Sequence, residues 1–257
     1  MKNKKTIILV SALVVILIAA AVALGFVFSK QHKHKKHKKP HTTAVEEVEG
    51  NTSFDGIDVS HYQGTIDWKQ VAQYENIQFV YIKATQGTKF TDRQYSYNIR
   101  QARQNGLKVG SYHFFSHQTP ARKQFEHFQE VAKKAEQDLI PMVDVEVALS
   151  SLERQRMSLS AFQDSLQLFM DLCKNYYGEY PMIYATNRSY NELCGERFLN
   201  YHLYIGRYGS NEPVICHTSK KHTIWQYSEK GNLKGIPQPV DLSRFANGST
   251  VKDILLK

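Results

Sequence analysis

Apolar residues recur along most of this chain in two rhythms. Short runs at 56–62, 79–85, 108–115, 141–146, 181–186, 203–208, 223–227 and 239–243 are rich in β-branched and aromatic residues and bounded by turn formers, which predicts buried strands. Between the early runs, stretches at about 67–75, 94–105, 121–135 and 158–176 repeat apolar residues every three or four positions, as Phe162, Leu166, Phe169, Met170 and Cys173 do, which predicts helices. Alternation of strand and helix predicts an α/β fold with a parallel sheet. Eight strands over this length predict that the sheet closes into a TIM-like barrel. After Thr186 the spacing shortens and helical patterns become scant, so the last units of the barrel are expected to lack most of their helices.

The chain before residue 54 follows neither rhythm. Thr6 to Phe28 is an almost unbroken apolar run, long enough to cross a hydrocarbon core of roughly 30 Å as a helix. It predicts a membrane anchor over 1–29. Ala21-Val22-Ala23 also has the small-x-small form of a signal-peptide cleavage site, so secretion after cleavage near Ala23 stands as the alternative. Either way the domain that follows is exported. Lys flanks the run on both sides, and a simple positive-inside count would leave the domain in the cytoplasm. Long domains, however, translocate largely regardless of flanking charge.

Residues 30–53 are a basic tail and linker. Lys30 to His41 contains Lys, His, Gln and Pro and nothing apolar, so it is expected to be solvated. It is either a plain spacer or a partner for anionic lipid or wall polymer. His32, His34, His37 and His41 have no spacing that defines a metal geometry. The formal charge of +9 belongs to this end of the chain, because residues 1–41 hold nine Lys and no acid. The remainder, 54–257 and its linker, is balanced, so the high isoelectric point does not indicate a nucleic-acid partner. Cys173, Cys194 and Cys216 are odd in number and match no ligand spacing; buried, inert thiols are expected.

Candidate chemistry is densest at 141–146, Pro-Met-Val-Asp-Val-Glu. Two carboxylates two residues apart on a strand project to one side, with Cβ atoms roughly 6.5–7 Å apart, near enough to flank one scissile bond. A salt-bridged strand end is the structural alternative. In such barrels chemistry gathers at the carboxyl ends of strands. The predicted ends supply Asp58 to Gly64 from strand one, Lys83 from strand two, Tyr112-His113-Phe114 from strand three, Asp144 and Glu146 from strand four, Tyr184 and Tyr204 from strands five and six, Trp225-Gln226-Tyr227 from strand seven and Asp241 from strand eight. Acids among aromatic rings suit a carbohydrate, whose CH faces stack on rings while carboxylates grip hydroxyls.

Taken together, GIDVSHYQG at 56–64, FVYIKATQG at 79–87, VGSYHFF at 109–115, PMVDVE, PMIYAT at 181–186, IWQY at 224–227 and VDLSRF at 240–245 resemble the glycoside hydrolase family 25 lysozymes, the Chalaropsis-type muramidases. The resemblance runs from about Phe54 to Phe245. It implies a barrel of five βα units followed by strands with few helices. It also implies hydrolysis of the β-1,4 bond between N-acetylmuramic acid and N-acetylglucosamine in peptidoglycan, with no metal or cofactor. Matched residue by residue, it implies Glu146 as general acid and base and Asp144 as the carboxylate that stabilises a substrate-assisted intermediate. Asp58 and Asp241 would hold hydroxyls or tune Glu146. Tyr62, Tyr112, Phe114, Tyr184 and Trp225 are expected as sugar platforms, with core packing the alternative for each ring. Gln63 and Gln226 are expected to meet substrate amides, His113 to hydrogen-bond at the site, and Lys83 to pair with a site acid. Ser243 stands where relatives often have Asn. Two other functions remain to be weighed: an inactive wall-binding module, and a hydrolase of another N-acetylhexosamine polymer.

Overall fold

The computed structural model describes residues 53–216, 221–246 and 248–257. The expected anchor at 1–29 and the tail at 30–52 lie outside these residues. Among the described residues no helix is long and apolar enough to cross a membrane.

Nine strands form one sheet: β1 (Gly56–Val59), β2 (Phe79–Gln86), β3 (Phe90–Thr91), β4 (Val109–Phe114), β5 (Met142–Asp144), β6 (Met182–Thr186), β7 (Leu203–Gly206), β8 (Ile224–Gly231) and β9 (Val240–Phe245). Eight of them close a barrel in the order β1, β2, β4, β5, β6, β7, β8, β9, with β9 returning to β1. The short β3 is a hairpin arm on β2 outside the closed ring. The pairings from β1 through β8 are parallel, as expected. The final strand departs from that expectation, since β9 is antiparallel to both β8 and β1. Asp241 therefore stands near the amino end of its strand, and reversal of the strand brings that end to the pole where the other strands finish.

Helices α1 (Trp68–Val71), α2 (Tyr95–Gln104) and α3 (Ala121–Val131) fall inside the predicted stretches, α5 (Leu159–Tyr177) runs one residue past the end of its own, and α4 (Leu149–Arg154) is a further short helix. After β6 there is only a turn of helix, α6 (Asn187–Ser189), and short irregular helical segments. The boundaries of α5 follow from its caps: the Ser158 hydroxyl accepts from the Ala161 N–H at 3.1 Å, and Gly178 at φ 91° ends the helix in a left-handed turn. Its Phe162, Leu166, Phe169, Met170 and Cys173 are buried against the sheet.

Two apolar layers result from alternation along the strands. Phe79, Tyr81, Tyr112, Met142, Met182, Tyr184, Tyr204 and Ile224 point inward and plug the barrel. Val80, Ile82, Val143, Ile183 and Ile205 point outward under the helices. Burial of such side chains at about 25 cal/mol per Å² is the main stabilising term. The inner plug is largely tyrosine, so hydroxyls are carried up through the barrel interior toward the pole where the strands end.

Candidate active site

A cavity of about 190 Å³ opens at that pole, lined by Asp58, Ser60, Tyr62, Gln63, Tyr112, Phe114, Met142, Asp144, Glu146, Tyr184, Tyr208, Gln226 and Asp241. All four expected acids meet in this one pocket. They arrive from three strands: Asp58 from β1, Asp144 from the last residue of β5, and Asp241 from β9 opposite Asp58 in register. Glu146 was expected on the strand but lies two residues beyond its end, in the loop leading to α4. There it reaches the mouth of the pocket and is accessible to solvent, whereas Asp144 is buried.

The electrostatics follow from crowding acids in a dry place. Burial, then the charge of Glu146, raises Asp144 well above the usual carboxylate range. Burial, then the charge of Asp58, raises Glu146. The two cannot both ionise easily, so the pair holds a proton to higher pH than two separate carboxylates would. Asp144 Oδ1 is buried and has no hydrogen-bond partner among the described residues. A carboxylate oxygen that no protein donor engages, lining a pocket, is a ready acceptor for a ligand N–H or O–H.

Asp58 is treated differently. Its Oδ2 accepts from Tyr204 Oη at 2.8 Å and from Gln226 Nε2 at 2.9 Å. Tyr204 in turn accepts from Ser243 Oγ at 2.6 Å, and Gln226 Oε1 accepts from Tyr184 Oη at 2.8 Å. Burial still raises Asp58, while these donors pull it back. Asp241 is pushed up to about 8 by burial, then by the charge of Asp58, to which it donates its proton. The upper barrel thus contains a fixed polar ladder ending in a carboxylate that shares a proton with its cross-strand neighbour. Ser243 is one rung of it. The ladder requires a glycine at 206, where a Cβ would stand 2.8 Å from Tyr184 Oη.

The remaining expected residues divide by strand alternation. Tyr112, Phe114, Tyr184 and Gln226 face the pocket, and Tyr62 stands 72% exposed at its rim. Gln63 lines the pocket too, but its amide is used at both ends, accepting from the Ser60 N–H at 2.9 Å and donating to the Pro239 carbonyl at 3.0 Å. His113 does not reach the site. Lying between the inward Tyr112 and Phe114, it points outward, where Nδ1 bonds Thr85 Oγ1 at 2.7 Å and Nε2 bonds Gln124 Oε1 at 3.1 Å, and its ring stacks on Phe169. Burial pushes it down to about 3, so it is a neutral structural histidine. Trp225 is likewise outside, next to the inward Ile224 and Gln226, its indole N–H donating to the Arg207 carbonyl at 2.7 Å. Among the described residues Lys83 makes no ion pair. A bulge in the β2–β4 register after Lys83 leaves its ammonium bonded to Gln86 Oε1 at 3.1 Å and 4.8 Å from the Phe114 ring centroid.

Tyr208, 52% exposed beyond β7, and Tyr204, inside the barrel, complete the site. Tyr208 has no sequence signal beyond its place just after a strand end. Among the described residues no cluster of three or more His, Cys, Asp or Glu is arranged to hold a metal ion. Cys173 and Cys194 are buried as expected, but Cys216 is exposed.

Comparison with known proteins places these features in a group. The family model described as "Glycosyl hydrolases family 25" matches residues 57–236. The chain is 32% identical over 203 residues to the uncharacterized protein YegX of Escherichia coli strain K12, covering 77% of this chain and 71% of that protein. It is 30% identical over 198 residues to the autolytic lysozyme of Clostridium acetobutylicum, covering 76% of this chain and 57% of that protein. Among solved structures, the bacterial lysozyme from Streptomyces coelicolor superposes with a TM-score of 0.70 at 26% identity, over 79% of this chain and 95% of that one.

Proposed function

The chain belongs to the glycosyl hydrolases family 25, and from that premise we propose that it is a lysozyme that hydrolyses the β-1,4 bond between N-acetylmuramic acid and N-acetylglucosamine in peptidoglycan. The observation that carries the reading is the convergence of Asp144, Glu146, Asp58 and Asp241 in one pocket with a bare, buried Asp144 oxygen. Glu146, at the accessible mouth, protonates the leaving glycosidic oxygen. The carbonyl oxygen of the sugar's own 2-acetamido group then attacks the anomeric carbon from the opposite face. Asp144 accepts the amide N–H and stabilises the positive charge that develops on the resulting ring. That N–H favours the ionised form of Asp144, which leaves the shared proton on Glu146 where the first step needs it. The Glu146 carboxylate finally takes a proton from water as it opens the intermediate. Asp58, locked by Tyr204 and Gln226, and its partner Asp241 form the floor that receives substrate hydroxyls.

The inactive wall-binding module is disfavoured because every acid the chemistry needs is present and gathered. A hydrolase of another N-acetylhexosamine polymer has the same chemistry and is separated from the first reading by its products. The polymer lies outside the cytoplasmic membrane, so the catalytic domain acts there, with residues 6–28 as its anchor or its export signal.

Mass spectrometry of peptidoglycan digested by residues 50–257, wild type beside Glu146→Gln, tests the assignment. Products ending in reducing N-acetylmuramic acid, absent with the variant, are expected. Retention by Glu146→Gln of more than about a tenth of the wild-type rate would remove Glu146 from the acid role.

A further inference from the structure

On the β1 side of the pocket, three rings stand in a row beyond its rim. Tyr62 packs against His61 in a tilted pair with centroids 4.2 Å apart, and His61 meets Phe90 at 5.8 Å. Phe90 belongs to the hairpin arm β3 and is 43% exposed. Exposed rings are ordinarily free to move, yet these are tied down from beneath. The carboxylate of Asp92 is wholly buried and accepts from His61 Nδ1 at 2.7 Å, from the His61 backbone N–H at 3.0 Å and, through its other oxygen, from the Gln94 backbone N–H at 2.9 Å. The ammonium of Lys83 lies 5.8 Å from the Phe90 centroid and 4.8 Å from that of Phe114, which lines the pocket. The buried Asp92 carboxylate and the Lys83 ammonium thus hold the half-buried His61 ring and the exposed Phe90 ring in place beside Tyr62. Exposed, rigid aromatic surface marks a place where something binds.

We propose that Tyr62, His61 and Phe90 form a glycan-binding shelf continuous with the catalytic pocket, which takes a sugar of the same strand beyond those at the cleaved bond. This rests on the peptidoglycan reading above. Tyr62 belongs to both pocket and shelf, so a strand leaving the pocket on this side runs directly onto the rings. Aromatic rings with an imidazole among them suit the CH faces and hydroxyl rims of a sugar.

The experiment compares wild type, Phe90→Ala and Phe90→Trp on three substrates: long peptidoglycan strands, the same strands stripped of stem peptides by an amidase, and an oligosaccharide too short to leave the pocket. Phe90→Ala should lose about three- to tenfold in kcat/KM on both long polymers, the range that one aromatic contact supplies, and nothing on the short one. Phe90→Trp should keep wild-type values. Circular dichroism and the melting temperature confirm that each variant folds. Equal effects on short and long substrates would overturn the shelf, and a loss confined to unstripped strands would overturn its assignment to sugar in favour of the peptide. Wild type inactive on all three would bring down the lysozyme reading and the shelf with it, a result distinct from either of the others.

Discussion

Asp241→Asn tests the shared proton most directly. Asp241 faces Asp58 across paired strands and is pushed up to about 8 by burial and then by the Asp58 charge, against an ordinary aspartate value near 3.9. Between those limits the folded protein keeps a proton that the unfolded chain has released. Stability contributed by this group is therefore complete below about pH 4 and is lost as the pH rises toward 8, with a limiting slope of about 1.4 kcal/mol per pH unit. Asp241 is partly exposed, so solvent screening cuts the full span to about 2–3 kcal/mol by pH 8. An asparagine keeps an N–H donor for Asp58 and has nothing to titrate. Urea unfolding of both proteins at intervals from pH 4.5 to 9 gives the difference in stability, in which the other acids largely cancel. The variant should gain on wild type steadily up to about pH 8 and then hold level. A difference that stays flat across this range would refute the shared-proton description of the site floor.

Two further outcomes follow from the packing around the pocket. Gly206→Ala places a Cβ 2.8 Å from Tyr184 Oη and 3.2 Å from Gln226 Oε1, so it should cost about 1–3 kcal/mol in denaturant unfolding and lower turnover by loosening the support of Asp58; wild-type stability and rate would show that the ladder is not tightly set. His113→Gln tests a group held down to about 3 against an ordinary value near 6.5: the unfolded chain takes up a proton that the folded one refuses, so wild-type stability should fall as the pH drops through this window. The difference between wild type and His113→Gln should carry that slope while the pH optimum of activity stays in place. A flat difference, or a moved optimum, would contradict a neutral histidine outside the site.

Much of this architecture was legible in the chain because strands in a closed barrel must be apolar on both faces, and helices over them must show one apolar stripe. All eight predicted strand segments lie near observed strands for that reason, and so does the stripe of α5, while the two-residue β3 gave no such signal. The direction of the last strand was not legible, since residues 240–245 read the same whichever way they run; only the pairing of β9 with β1 and β8 reveals it. Within the site, the acids were legible, and strand alternation separates neighbours that the sequence sets side by side. Tyr112-His113-Phe114 and Trp225-Gln226 are adjacent in sequence, and alternation sends His113 and Trp225 to the outer face. Glu146 escaped the strand because β5 ends at Asp144, a boundary that no apolar periodicity marks. Phe90 and Tyr208 were missed because their rings lie on the surface, where burial patterns are silent.

The folded domain also has a polarity along its barrel axis. Ser53, which accepts from Arg244 Nε at 2.6 Å, precedes the start of β1, and Leu255 bridges to Leu139 just ahead of β5, so both described ends of the domain lie where strands begin. The acids lie where strands finish. A tether joined to either described end therefore meets the domain at the pole opposite its pocket, and the mouth is left open to substrate.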